Sequence, residues 1–304
     1  MDSIEYGRQL MVAKRNDMIQ NGRYDLTVQE QRVVLYTITQ VKPKDTEFTE
    51  YIFDIKDFFA ICGIENRNYK RLKGQLKKLS DKSWIVPRKD ENGRVWHDVV
   101  RWFNNVSTSE DAGLVSLTFH NKMMPFVLEL SEQYRKNKIH YTQYELKYIL
   151  PMQSKFSPRL YEILKSYQQN NIRWFFLVED LQVMLCDFDK ETKEPIVPKT
   201  WSNFAEFKRR VIDPAIKEIN QYTDLTIGYS VAKTGPKVTK IEFYLDTKTV
   251  TELRQVNSAI EKALDGTTLA GKADPAIVFQ NERGKAREED KASLESLKKK
   301  YTKR

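Results

Sequence analysis

The chain has 304 residues, 40% of them hydrophobic and 12% aromatic, enough apolar material for two domains of ordinary size. Its 51 Lys and Arg against 42 Asp and Glu leave a formal charge of +9, a balance that suits a polyanionic partner. Two cysteines exclude a disulfide scaffold, and the sequence has no signal-peptide pattern and no apolar run long enough to span a bilayer, so a reducing, cytoplasmic setting is expected.

Thr27 and Glu30 stand at capping-box spacing ahead of Val33, Val34, Ile38 and Val41, which predicts a helix over 26–41. Residues 48–64 alternate like a strand, then run into a short helix that Asp54 or Asp57 can cap. Tyr69, Leu72, Leu76 and Leu79 fall on one helical stripe. Two strands around an Asn92-Gly93 turn are expected over 84–103, then a strand over 114–119 and a helix from 121 to about 135. Ser157 as N-cap and Pro158 at the first helical position open a helix over 157–168. A strand leading into a short helix follows over 173–188, then a helix over 201–220. A hairpin closes the series over 225–245, with Gly235-Pro236 at its tip and Ile241, Phe243 and Leu245 facing inward.

The order helix, strand, helix, helix, hairpin therefore occurs twice. One offset of 123 residues separates Phe53 from Phe176 and Asp57 from Asp180. A repeat this long means duplicated domains, and helix-turn-helix followed by a two-stranded wing is the winged-helix arrangement. The expected fold class is α+β: tandem winged-helix domains over 1–137 and 138–246, and a polar tail over 247–304. The tail has Phe279 and Tyr301 as its aromatics; it is expected to be flexible or weakly helical, and its stretch 281–304 to be unable to bury a core alone.

Both third helices are basic. On a helical wheel, Phe204, Phe207, Val211 and Ala215 share one face of 201–220. Ser202, Glu206, Arg209 and Arg210 lie opposite, with Lys199 and Asn203 beside them. Arg can bind guanine with two hydrogen bonds, and Asn can bind adenine likewise. Asp213-Pro214 reads as an N-cap and first position, so the helix is expected to kink or restart there. The first-half helix presents Arg67, Lys70, Arg71, Lys77 and Lys78 with no acid between 66 and 79, so helical salt bridges cannot explain its charge. Such a face suits phosphates. Both helices precede hairpins with basic residues, Arg88, Lys89 and Arg94 in one and Lys233 and Lys237 in the other. A recognition helix in the major groove with a wing on the flanking backbone is the physical use of that pairing.

Enzyme chemistry finds little support. Gly266, Gly271 and Lys272 match P-loop spacing, but Ala273 offers no hydroxyl for magnesium, and a helix-like segment precedes the motif where a strand is required. His97, His120 and His140 form no metal pair. Cys62 and Cys186 read as small buried hydrophobes, and Trp84, Trp96, Trp102, Trp174 and Trp201 as core residues. No catalytic residue, metal or cofactor is expected.

Three segments, "LMVAKRNDMIQNGRYDLTVQEQRVVLYTITQV" (10–41), "SPRLYEILKSY" (157–167) and "FKRRVIDPAIKEIN" (207–220), resemble the plasmid replication initiator (Rep) proteins that bind iterons. The resemblance covers about 10–245. It implies two winged-helix domains related by internal pseudo-twofold symmetry, double-stranded DNA with origin direct repeats as partner, and no catalytic site. It further implies monomers that open the origin and recruit the host initiator and helicase machinery, and dimers, joined through the first domain, that repress their own gene. The base-reading helix would run from Lys199 to Arg210. Asn203, Arg209 and Arg210 would reach base edges, and Ser202 and Lys208 would lie nearer phosphates. Glu206 would either accept from a cytosine amine or balance charge. The alternatives are a winged-helix transcriptional regulator without a replication role, and an interaction module whose basic helices meet acidic partners.

Overall fold

The computed structural model describes residues 3–42, 45–63, 74, 76–109, 112–168, 172–189 and 191–265. The chain opens with a helix, Ser3–Gln9, then strand β1, Met11–Arg15. A short helix, Asn16–Asn21, leads to β2, Arg23–Tyr24. Helix Val28–Thr39 starts at the expected capping box: Glu30 N donates to the Thr27 hydroxyl, and Thr27 N donates to the Glu30 carboxylate at 2.8 Å. Burial extends to its polar residues, because the other half of the chain lies against it. Arg32 donates to the Met152 carbonyl at 2.9 Å and Gln31 to that of Lys155 at 2.9 Å.

Strand β3, Tyr51–Asp54, passes directly into helix Ile55–Ile61, and of the two expected caps Asp54 is used, accepting from Lys56 N at 2.6 Å. Residues 76–79 are helical with Leu76 and Leu79 buried, while Arg67, Lys70, Arg71, Tyr69 and Leu72 lie outside the described residues. The wing is β4, Ser83–Lys89, and β5, Val95–Arg101, and Gly93 supplies the positive φ (77°) that their tight turn requires. Strands β6, Phe103–Thr108, and β7, Leu114–Phe119, complete the half; β6 has no counterpart in the sequence expectation. The sheets run β2-β4-β5 and β3-β7-β6. The helix expected from 121 to 135 is broken into a 3-10 turn, Asn121–Met123, and helices Met124–Val127 and Leu130–Asn137, because Glu129 adopts a left-handed conformation (φ 49°).

The second half begins with β8, Tyr141–Glu145, which pairs antiparallel with β1 from Met11↔Glu145 to Arg15↔Tyr141. An N-terminal strand thus crosses the boundary placed at 137. Helix Phe156–Gln168 starts ahead of its expected N-cap: Ser154 Oγ accepts from Phe156 N at 3.3 Å, while Ser157 is buried inside the first turn. Strand β9, Arg173–Leu177, enters helix Val178–Leu185 as β3 enters its helix, and Ile55 and Val178 stand at the same offset of 123 that the repeat predicted. A small hairpin follows, β10, Asp187–Phe188, with β11, Pro195–Ile196. The second wing is β12, Leu225–Thr234, with β13, Lys237–Thr247, in a sheet of order β12-β13-β9. Ile241, Phe243 and Leu245 are fully buried, as the alternation required.

A further expectation needs correction. Trp96 is 49% exposed on the first wing, its indole N–H donating to Asp90 at 2.9 Å, whereas Trp84 and Trp102 are buried. Trp96 pairs with Arg88 near the Asn92-Gly93 turn, whereas Trp84 pairs with Val100 at the other end of the hairpin. The first part of the polar tail packs on the body. Residues Val250–Asp265 form a helix with a capping box at Thr249 and Glu252, and Val256, Ile260 and Leu264 are buried. The Leu264 backbone sits so near Gly63 that a Cβ there would lie 2.6 Å from the Leu264 carbonyl oxygen. The P-loop-like stretch and the remainder of the tail lie outside the described residues. Among the described residues no helix is long and apolar enough to cross a membrane.

Candidate nucleic-acid interface

The recognition segment of the second half is built in three pieces. Pro198 opens a 3-10 turn, Lys199–Ser202, that buries Trp201 against Phe156 (5.7 Å between centroids) and Phe207 (4.9 Å). The Trp201 carbonyl accepts from Gln182 at 2.8 Å, so the turn is tied to the preceding helix. Asn203 caps the next piece, helix Phe204–Phe207, its Oδ1 accepting from Ala205 N at 2.9 Å. A π turn, Lys208–Ile212, then runs without a break into helix Asp213–Tyr222.

The restart expected at Asp213 is therefore a widened turn. Pro214 has no N–H to give the Arg210 carbonyl, so the chain loosens by one residue, and the Asp213 N–H reaches back to Lys208. Asp213 itself has helical angles and is not an N-cap. The buried stripe is the expected one. Phe207, Val211 and Ala215 are fully buried, Phe204 packs at its edge, and Ile212 joins them through the wider turn.

The outer face carries Lys199, Ser202, Asn203, Arg209 and Arg210, all exposed. Its charges are organised by acids of the same molecule. Glu206 holds both arginines: Arg209 Nη2 at 2.8 Å and Nε at 3.3 Å, and Arg210 Nε at 2.7 Å. The two guanidinium groups hold the Glu206 carboxyl below the usual carboxylate range, Arg209 contributing most. The arginines remain more than half exposed, so these are surface pairs. Lys208 is half-buried beside them. Its ammonium lies 2.6 Å from Asp213, whose other oxygen accepts from Tyr229 on β12 at 2.6 Å. This clasp ties the π turn to the wing, and no sequence signal pointed to Tyr229. Ser202 Oγ donates to the Lys199 carbonyl at 2.7 Å.

At the wing tip Lys233 and Lys237 are exposed, and Lys237 pairs with Glu179 at 2.8 Å. The Glu179 carboxyl is lowered by that ammonium. Recognition segment and wing are thus brought together as the pattern implied, joined through Lys208, Asp213 and Tyr229. In the first half, Lys77 and Lys78 are exposed beside buried Leu76 and Leu79, and Arg94 is exposed at its wing turn. There Asp90 accepts from the backbone of Asn92 and Arg94, each at 2.9 Å. Arg88 lies on β4.

No group of three or more His, Cys, Asp or Glu that could hold a metal occurs among the described residues. Cys62 and Cys186 are buried free thiols, pushed up by burial to about 12 and about 11 respectively.

Comparison with known proteins agrees with this architecture. Residues 11–165 match the family model described as initiator replication protein, WH1, and residues 179–245 match initiator Rep protein, WH2. An Escherichia coli PI protein is 28% identical over 153 residues, covering 48% of this chain and 47% of that protein, so the chain spans about half the length of this relative. An Escherichia coli replication initiation protein is 22% identical over 256 residues, covering 81% of this chain and 73% of its own. A crystal structure of a Pi initiator protein in complex with iteron DNA superposes with a TM-score of 0.60 at 22% identity, covering 79% of this chain and 98% of that one; the fold is shared.

Proposed function

Because the chain belongs to the initiator replication protein family, we propose that it binds direct repeats in double-stranded plasmid origin DNA and starts replication there. The observation that carries this reading is the recognition segment itself. Arg209 and Arg210 are exposed on the outer face of a helix whose inner face is fully buried, with a basic wing tied to it through Asp213 and Tyr229. A helix anchored in this way can be pressed into a major groove without losing its own core.

In this reading residues 138–246 supply base contacts, through Asn203, Arg209 and Arg210, with Lys199, Ser202, Lys208, Lys233 and Lys237 on phosphates. The capping bond leaves the Asn203 amide nitrogen to donate outward. Residues 1–137 hold backbone through Arg67, Lys70, Arg71, Lys77, Lys78, Arg88 and Arg94, and form the dimer. Monomers on the origin open the duplex and bring the host initiator and helicase machinery, while the dimer represses its own gene. The protein acts in the cytoplasm, with no catalytic step, metal or cofactor.

Footprinting on DNA flanking the gene tests the proposal. Protection of several direct repeats, regularly spaced at about two DNA turns and beside an A·T-rich segment, is the expected result. A single inverted repeat would instead make the protein a regulator, and no protection would leave an interaction module.

A further inference from the structure

Glu206 sits one helical turn before two arginines that the proposed function sends to DNA, and it binds both. The Nε and Nη2 edge of Arg209, the edge that would grip guanine or phosphate, is closed on its carboxylate at 3.3 and 2.8 Å. Arg210 meets the same carboxylate through Nε at 2.7 Å. One acid therefore occupies, before any DNA arrives, a position that a phosphate oxygen would take. The cluster is fastened below by Phe207 and Val211, which are fully buried, so the arginines cannot avoid Glu206 by rotating the helix.

Resting on the reading just given, we propose that Glu206 is a specificity-determining residue, which holds Arg209 and Arg210 back from the DNA backbone and yields one of them to a G·C pair. The chemistry is a matched exchange. A phosphate offers the arginines an acceptor but repels the carboxylate it displaces, so non-specific contact leaves Glu206 stranded beside a polyanion. A G·C pair offers guanine O6 and N7 to an arginine and the cytosine N4 amine to Glu206, so both partners of the broken pair are satisfied again. The acid thereby penalises random duplex more than cognate duplex, and discrimination is a difference of two affinities.

The test uses the full chain, Glu206→Gln and Glu206→Ala, with two probes: a random-sequence duplex, and the duplex that the unaltered chain enriches from a randomised library. Anisotropy titrations across a salt series read affinity and slope. Both variants are expected to bind the random duplex about tenfold tighter at fixed salt, with a salt slope steeper by about one, the signature of one added phosphate contact. Replacing one particular G·C pair of the enriched duplex by A·T should cost the unaltered chain about tenfold and Glu206→Ala less, by the share that the cytosine contact contributes. Unchanged binding to the random duplex would overturn the inference, as would equal weakening of both probes, which would make Glu206 a scaffold. Failure of the initiator reading would look different: the unaltered chain would then enrich no repeat from origin DNA, while the random-duplex comparison would still judge Glu206.

Discussion

Lys14 and Glu162 approach to 2.5 Å with both side chains almost completely buried. They come from opposite halves of the chain, Lys14 from β1 and Glu162 from helix Phe156–Gln168, and Tyr144 and Tyr24 add hydroxyl bonds to the same carboxylate. Burial holds the Lys14 ammonium below the ordinary lysine range, an effect that Glu162 opposes. Asn16 and Gln20 extend the seam by donating to Ser166, at 3.2 and 3.1 Å. A seam of buried polar partners demands one register, because any slip leaves charges without partners.

Lys14→Met should therefore destabilise the protein by about 3–5 kcal/mol, since it strands a buried carboxylate. Adding Glu162→Gln, which keeps an acceptor for Tyr144 and Tyr24, should recover part of that loss. Urea denaturation of the two variants checks this, and a loss below about 1 kcal/mol for Lys14→Met would show that water reaches the pair.

Replacing Arg209 and Arg210 together by Ala should lower the preference for cognate over random duplex by roughly tenfold to a hundredfold for each base pair the arginines read. Competition binding at fixed salt measures it. Unchanged preference would move base reading away from this helix.

Lys77→Ala with Lys78→Ala should weaken all duplexes alike and lower the salt slope by about two, because phosphate contacts carry affinity without sequence choice. A slope identical to that of the unaltered chain would remove this helix from the interface.

Ile260→Ala should cost about 2–5 kcal/mol, as expected for a buried branched side chain. Gly63→Ala should also lower the melting midpoint, because φ is +63° there and the new methyl would meet the Leu264 carbonyl. Gly74→Ala is the control: its site is open, and alanine favours the helix it lies in. Thermal melts that rank these three otherwise would mean that the helix from Val250 to Asp265 does not dock on the body.

What the sequence determined by itself was set by contacts within a few residues. Thr27 with Glu30, the Asn92-Gly93 and Gly235-Pro236 turns, and the stripe Phe207, Val211, Ala215 are all short-range information, carried by hydrogen-bond partners and side-chain periodicity. The 123-residue offset was legible for the same reason, since Ile55 and Val178 each begin a helix directly after a strand. Tertiary structure alone decided which surfaces met. Trp84 and Trp96 sit in equally strand-like runs, yet one is buried and the other exposed, because only the base of the wing lies over other elements. Val256, Ile260 and Leu264 make a stripe too narrow to announce a core until the body supplies the opposite wall. The pairing of β1 with β8, of Lys14 with Glu162, and of Asp213 with Tyr229 joins residues whose local patterns say nothing of one another. Periodicity tells a residue which way to face; the partner it meets depends on how the whole chain closes.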